Sequence, residues 1–268
     1  MNLKDLLVYI DLSSTCSNRL ATAIQLAQQQ QAKLTGIYTI PPHRASDFEQ
    51  PYKLADQAKL KFLQTVEQAG LESEWICADS SRNNLDLVQS LNLYAHYRDM
   101  LIVSQADHDA KQQSTPGDLP EKAVLGAGRP VLVVPYTSDT RTIGKRVMLV
   151  WRGGPESSRA MHDSMPLLRA ADSVHVISIQ GYGGDEAYES HNADICSHLR
   201  HYDINAIAEK HVTAGLSIGD LLLNRCADEG IDLMVLGAFS QFRRGNQILG
   251  DVGRYLLQSM TVPVLMSH

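Results

Sequence analysis

The feature that most constrains this chain is that it repeats itself. Asp99-Met-Leu-Ile-Val103 returns 133 positions later as Asp232-Leu-Met-Val-Leu236, Gly117-Asp118 as Gly250-Asp251, and Pro130-Val-Leu132 as Pro263-Val-Leu265, with no gap across the span. Self-similarity at half of a 268-residue chain points to duplication, and so to two similar domains rather than one large one. Each half then has to satisfy its own hydrophobic pattern with about 130 residues.

The pattern within each half is strand and helix in alternation. Leu6-Leu-Val-Tyr-Ile10, Leu34 to Ile40, Trp75 to Ala78, Met100 to Val103 and Val131 to Val134 are short, nearly all-apolar runs. Stretches with helical spacing separate them, as at Leu20, Ala23, Ile24, Leu26 and Ala27, over Tyr52 to Ala69, and over Leu85 to Tyr97. The cycle recurs as Val147 to Trp151, Val174 to Ile179, His211 to Thr213, Asp232 to Gly237 and Val262 to Met266, with helices near Glu156–Ala170, Glu186–Tyr202, Ile218–Asp228 and Asp251–Met260. Strands without polar alternation, each followed by a helix, predict an α/β architecture of two doubly wound domains with helices on both faces of a parallel sheet. The boundaries read as 1–136 for the first domain, an aperiodic polar linker over 137–145, and 146–268 for the second. Gly181 to Gly184 reads as a flexible turn.

Composition excludes several classes. The balance of 24 basic and 30 acidic residues, net −6, argues against nucleic acid as a partner. Four scattered cysteines suggest neither a disulfide framework nor a zinc cluster and fit a reducing cytoplasm. The first residues lack the pattern of a signal peptide, and no apolar run approaches the ~18 residues of a membrane span, so a cytoplasmic, membrane-free protein is expected.

In an open parallel sheet the ligand crevice lies beyond the carboxyl ends of the strands where strand order reverses. The tips that would flank it are Asp11 and Ser104 in the first half, and Arg152 and Gly237 in the second. Gly237 ends an apolar strand, and Gly250 precedes a helix whose free N–H groups would face the same space, a layout suited to a phosphate. Between them, Ala238 to Leu249 reads as a polar loop carrying Arg243 and Arg244.

On these residues the chain resembles a tandem universal stress protein. The likeness rests on Leu6 to Asp11 with Ser13, Asp99 to Val103 and Arg129 to Pro135 in the first half. In the second it rests on Val150 to Gly154, Ser217 to Asp220, Asp232 to Gly237, Leu249-Gly250 and Val262 to Leu265. The resemblance implies a five-stranded parallel sheet per domain in the order 3-2-1-4-5, an internal pseudo-dimer of the two domains joined along their fifth strands, and a stress-response role without catalysis. It also implies ATP or another adenine nucleotide as a ligand of many members, held by a loop of the form G-x2-G-x9-G-[S/T] and an acidic residue at the first strand tip.

Neither half keeps that loop whole. In the second, Gly237 and Gly250 match its outer glycines, Ser240 replaces the middle one, Asp251 stands in place of Ser or Thr, and Arg152 replaces the acidic residue. In the first, Asp11 is kept, but Ser104 and Asp107 replace glycines. The candidate binding residues are therefore Gly237, Ser240, Gly250, Asp251, Arg152 and Asp11, with the second domain the expected site. Asp251, like Asp118, also reads as a helix N-cap, Arg243-Arg244 as part of a solvated loop, and Arg152 as the partner of a nearby carboxylate such as Asp251.

The alternative is an interaction module of the same fold that binds an unknown protein partner and no nucleotide. Homo-oligomerisation would suit either. Enzymatic activity is not expected, since Ser157 and Ser158 read as capping residues and no G-x-S-x-G, H-E-x-x-H or G-x-x-x-x-G-K-[S/T] motif occurs. No metal is expected. His191, Asp194, His198 and His201 share one helix face, which reads as a solvated surface, and His268 as an exposed end.

Overall fold

A computed structural model describes residues 2–42, 49–106, 116–136, 142–179, 192–243 and 246–268, with only the backbone described for residues 192, 241–243 and 246. Asp107, Gly181 to Gly184, His191, Arg244 and Gly245 lie outside these residues, as does the side chain of Arg243. The chain divides into two compact units, Asn2–Tyr136 and Thr137–His268.

The first unit runs β1 (Asp5–Ile10), α1 (Cys16–Gln30), β2 (Lys33–Ile40), α2 (Glu49–Gln68), β3 (Ser73–Asp79), α3 (Ser80–Asn83), α4 (Leu87–Ala95), β4 (Met100–Ser104), α5 (Leu119–Gly126) and β5 (Val131–Val134). The strands pair in parallel in the order β3-β2-β1-β4-β5. β1, β4 and β5 are buried almost throughout, which accounts for their uninterrupted apolar sequences.

The second unit runs β6 (Arg146–Val150), α6 (Gly154–Ala170), β7 (Ser173–Ile179), α7 (Asn192–Arg200), β8 (Ala206–His211), α8 (Ile218–Glu229), β9 (Leu233–Gly237), β10 (Ser240–Arg243), β11 (Asn246–Leu249), α9 (Asp251–Ser259) and β12 (Val264–Ser267). Its parallel order is β8-β7-β6-β9-β12, the same 3-2-1-4-5 permutation. Ile143, within the stretch read as linker, is fully buried.

The repeated aspartates do the same work in both units. Asp99 Oδ2 accepts the backbone N–H groups of Lys4 and Asp5 at 2.6 and 3.0 Å, and Asp232 accepts those of Lys145 and Arg146 at 3.1 and 3.0 Å. Each carboxylate thereby ties the start of its fourth strand to the start of the first, satisfying donors that the sheet leaves open.

Three local expectations need correction. Residues 240–249 are not an irregular loop. They form an antiparallel hairpin, β10 with β11, in which Ser240 faces Leu249 and Phe242 faces Gln247. The third strand of the second unit lies at Ala206–His211, before the stretch His211 to Thr213 expected for it. As an outer member of its five-strand set it is partly exposed, and only Ala206-Ile-Ala208 is apolar before Glu209-Lys-His211, so a search for an apolar run passes it by. Helical caps also differ. Gly250, not Asp251, is the N-cap of α9; Asp118 does hold the N-cap position of α5 but makes no capping hydrogen bond there. Its carboxylate meets Lys122 Nζ at 2.7 Å instead.

The charge on β8 has a role. Glu209 receives His175 Nδ1 at 2.6 Å, His211 Nε2 at 2.9 Å and Arg225 Nη2 at 2.8 Å. Burial alone would push its carboxyl up, but these three donors outweigh it and bring the pKa down to about 2. A carboxyl held below its unfolded value near 4.3 stabilises the fold above that pH, and the contribution fades as pH falls toward 2. Glu209→Gln should therefore cost about 1–2 kcal/mol at pH 7, allowing for screening of a partly exposed group. The loss should shrink toward zero between about pH 4.5 and 2, as urea unfolding across that range would measure.

Candidate functional site

The two switch points differ. In the first unit the tips of β1 and β4 are joined by a residue of α1. Arg19 is fully buried and donates Nε to Tyr9 O at 2.6 Å, Nη1 to Ser104 Oγ at 2.6 Å and Nη2 to Asp11 Oδ1 at 2.9 Å. Its guanidinium also lies 5.0 Å from the centre of the Tyr9 ring. Asp11 additionally accepts the backbone N–H and hydroxyl of Ser13 at 3.1 and 2.6 Å. Burial tends to raise the Asp11 pKa, but Arg19 and Ser13 reverse the effect and hold it below the ordinary carboxylate value. Asp11 is thus a fixed, neutralised carboxylate rather than a base waiting for a proton.

Arg19 was not singled out from the sequence, although a signal was there. It stands at i−4 to Ala23 and i−7 to Leu26, on the stripe that must face the sheet, where a charge survives only with partners.

Beside this knot the first unit opens into a cavity of about 430 Å³, lined by the β1–α1 turn, the first turn of α1 and one face of α2. Leu20, Ala58 and Phe62 give it apolar walls, while Ser13, Gln57 and Lys61 supply polar groups. Gln57 and Lys61 lie on the exposed side of α2, and Phe62 is buried against Trp75 with ring centres 5.5 Å apart. The first turn of α1 holds no acidic residue, and its N-cap, Thr15, makes no side-chain capping bond. The positive end of a 15-residue helix therefore meets the cavity with no carboxylate in that turn.

In the second unit different groups meet at the corresponding strand tips. Gly153 and Gly154, with φ of 81° and 85°, turn the chain sharply after Arg152, so that α6 starts hard against the end of β9. A Cβ on Gly237 would lie 2.5 Å from Glu156 C and 2.7 Å from Ser157 N, so its bare backbone accommodates this helix. Arg152 stacks over the Phe239 ring at 4.2 Å.

Ser240 Oγ is 3.0 Å from His268 Nε2 and accepts Gln247 Nε2 at 2.8 Å, so His268 is half buried and engaged rather than a free exposed end. Gly250 donates its N–H to Phe239 O at 2.8 Å. Asp251, exposed at the first position of α9, pairs with Arg254. The structure thus brings Asp11 and Ser104 together through Arg19. It gathers Arg152 with Phe239, Gly237 with α6, and Ser240 with Gln247 and His268.

Among the described residues no group of three or more His, Cys, Asp or Glu side chains is placed to hold a metal, and no helix is long and apolar enough to cross a membrane. The chain is similar to the crystal structure of a universal stress protein from Archaeoglobus fulgidus DSM 4304, with a TM-score of 0.76 at 13% identity over 98% of this chain and 95% of that one. It is also similar to a functionally unknown protein from Pseudomonas aeruginosa PAO1, with a TM-score of 0.66 at 16% identity over 99% of this chain and 92% of that one. No protein-family model and no curated protein matches it. At these identities the likeness establishes the fold, two successive universal-stress-type units, over nearly the full length.

Proposed function

We propose that this chain, built on the tandem universal-stress fold, is a non-catalytic stress-response protein that binds an adenine nucleotide in the crevice of its first domain. The observation that carries the reading is the cavity beyond the carboxyl end of β1, one of the two strands that flank the order reversal, walled by α1 and α2. Its ~430 Å³ falls within the usual range for small-molecule pockets. Apolar walls at Leu20, Ala58 and Phe62 suit a planar base, while Lys61 and the uncapped start of α1 suit phosphate. The neutralised Asp11 adds no repulsion.

The second domain, favoured by the glycine pattern of the sequence, fits less well. Its Gly237 serves helix packing, and the N-terminus of α9 already carries the Asp251 carboxylate. A phosphate there would compete with that charge. Arg152, Gly237, Ser240, Gly250 and Asp251 are accordingly the less favoured ligand set.

Calorimetric titration with ATP, AMP and adenosine tests the proposal. Lys61→Glu should weaken the nucleotides at least about tenfold and leave adenosine unchanged, while Arg152→Ala should alter none of them. If Arg152→Ala abolishes binding and Lys61→Glu does not, the ligand belongs to the second domain. No heat at millimolar nucleotide would favour the protein-partner module instead.

A further inference from the structure

We propose that α6 and α7 of the second unit form a two-histidine clamp for a nitrogen-preferring divalent transition ion such as Zn²⁺ or Ni²⁺, held by His162 and His198. The cluster legible in the sequence includes His198 of α7, and the fold sets that residue beside His162 of α6. The imidazole rings of His162 and His198 lie 6.1 Å apart, centre to centre, with an interplanar angle of 54°. Two imidazoles sharing an ion at metal–nitrogen distances of about 2.0–2.1 Å have ring centres roughly 5–6 Å apart. At 6.1 Å the pair stands just beyond that range.

The chemistry of the pair supports ligation. His162 Nδ1 sits 2.8 Å from Ser158 O, and a carbonyl can only accept, so Nδ1 carries the proton and Nε2 keeps its lone pair. A backbone carbonyl behind the second ring nitrogen is the usual way a metal-binding histidine is oriented. His162 is solvent-exposed and His198 half buried, which leaves the remaining coordination positions to water. His198 is steadied by the Tyr202 ring, edge-on at 5.3 Å, and Tyr202 in turn lies beneath Arg169 at 5.1 Å.

With two protein ligands the clamp would be a modest site that ties one helix to its neighbour rather than a structural zinc centre.

Titration of the full chain with Zn²⁺ and with Ni²⁺ by calorimetry tests this. His162→Gln and His198→Gln should each weaken binding at least about tenfold, whereas His201→Gln should leave it unchanged. The ion should raise the thermal midpoint of the unsubstituted chain and not that of either variant. Circular dichroism of the His162→Gln protein, altered at an exposed position, separates lost ligation from lost folding. Binding that survives His162→Gln but disappears with His198→Gln or His201→Gln would place the ion along α7 alone and overturn the clamp. Unchanged binding in all three variants would overturn it equally.

Discussion

Arg19→Met is expected to destabilise the protein by about 3–5 kcal/mol, the range for removing one partner of a buried ion pair. Arg19 is 1% exposed and Asp11 is 8% exposed, so the loss leaves a carboxylate in the interior without its guanidinium, while Ser13 still donates to it. Tyr9 O and Ser104 Oγ lose their guanidinium donor at the same time. Chemical denaturation should show the midpoint falling, and Arg19→Met combined with Asp11→Asn should recover part of the loss, because the second change removes the stranded charge.

The pH dependence should change sign as well. In the unsubstituted protein Asp11 is held below its ordinary value, so it stabilises the fold above about pH 3.9, and that contribution is lost as pH falls through the folded value. Without Arg19 burial would raise the carboxyl above its unfolded value, and stability would then decline as pH rises from the unfolded value through the raised one. The same change would place an uncompensated negative charge in the wall of the first-domain cavity and weaken any anionic ligand there.

Gly237→Ala should cost about 3 kcal/mol, at the upper end for overpacking. The atoms a methyl group would meet, Glu156 C and O and Ser157 N at 2.5–2.7 Å, are backbone atoms of the first turn of α6 and cannot rotate away. Gly250→Ala supplies the contrast. There the nearest atom is Phe239 O at 3.3 Å, so a small shift suffices and a cost below about 1 kcal/mol is expected. If the two glycines served one phosphate loop, both substitutions would remove binding and spare stability. A packing role predicts unequal losses of stability, read from unfolding midpoints of the two variants.

The sequence carried the fold to different depths in different places. β1, β4, β9 and β12 were legible because strands buried on both faces admit almost nothing but apolar residues. β8 was missed in register because an outer, partly exposed strand admits a polar half, Glu209-Lys-His211, with Glu209 held among its partners. The hairpin β10–β11 was hidden inside a polar stretch whose glycines suggested an open loop. At the candidate site, Asp11 and Ser104 could be placed at adjacent strand tips from topology alone. That Arg19 would join them could not, since the contact bridges 85 positions between α1 and β4.

By itself, then, the sequence determined the duplication, the α/β class and the strand tips at which each half would expose its crevice. Those properties follow from local periodicity and from a repeat that any alignment of the chain on itself reveals. Tertiary structure alone decided what stands at each set of strand tips: a guanidinium in the first unit with an open cavity beside it, the first turn of α6 and a stacked Arg152–Phe239 pair in the second. Whether a glycine makes room for a ligand or for a neighbouring helix depends on which backbone arrives within 3 Å of it, and nothing local to the glycine encodes that arrival.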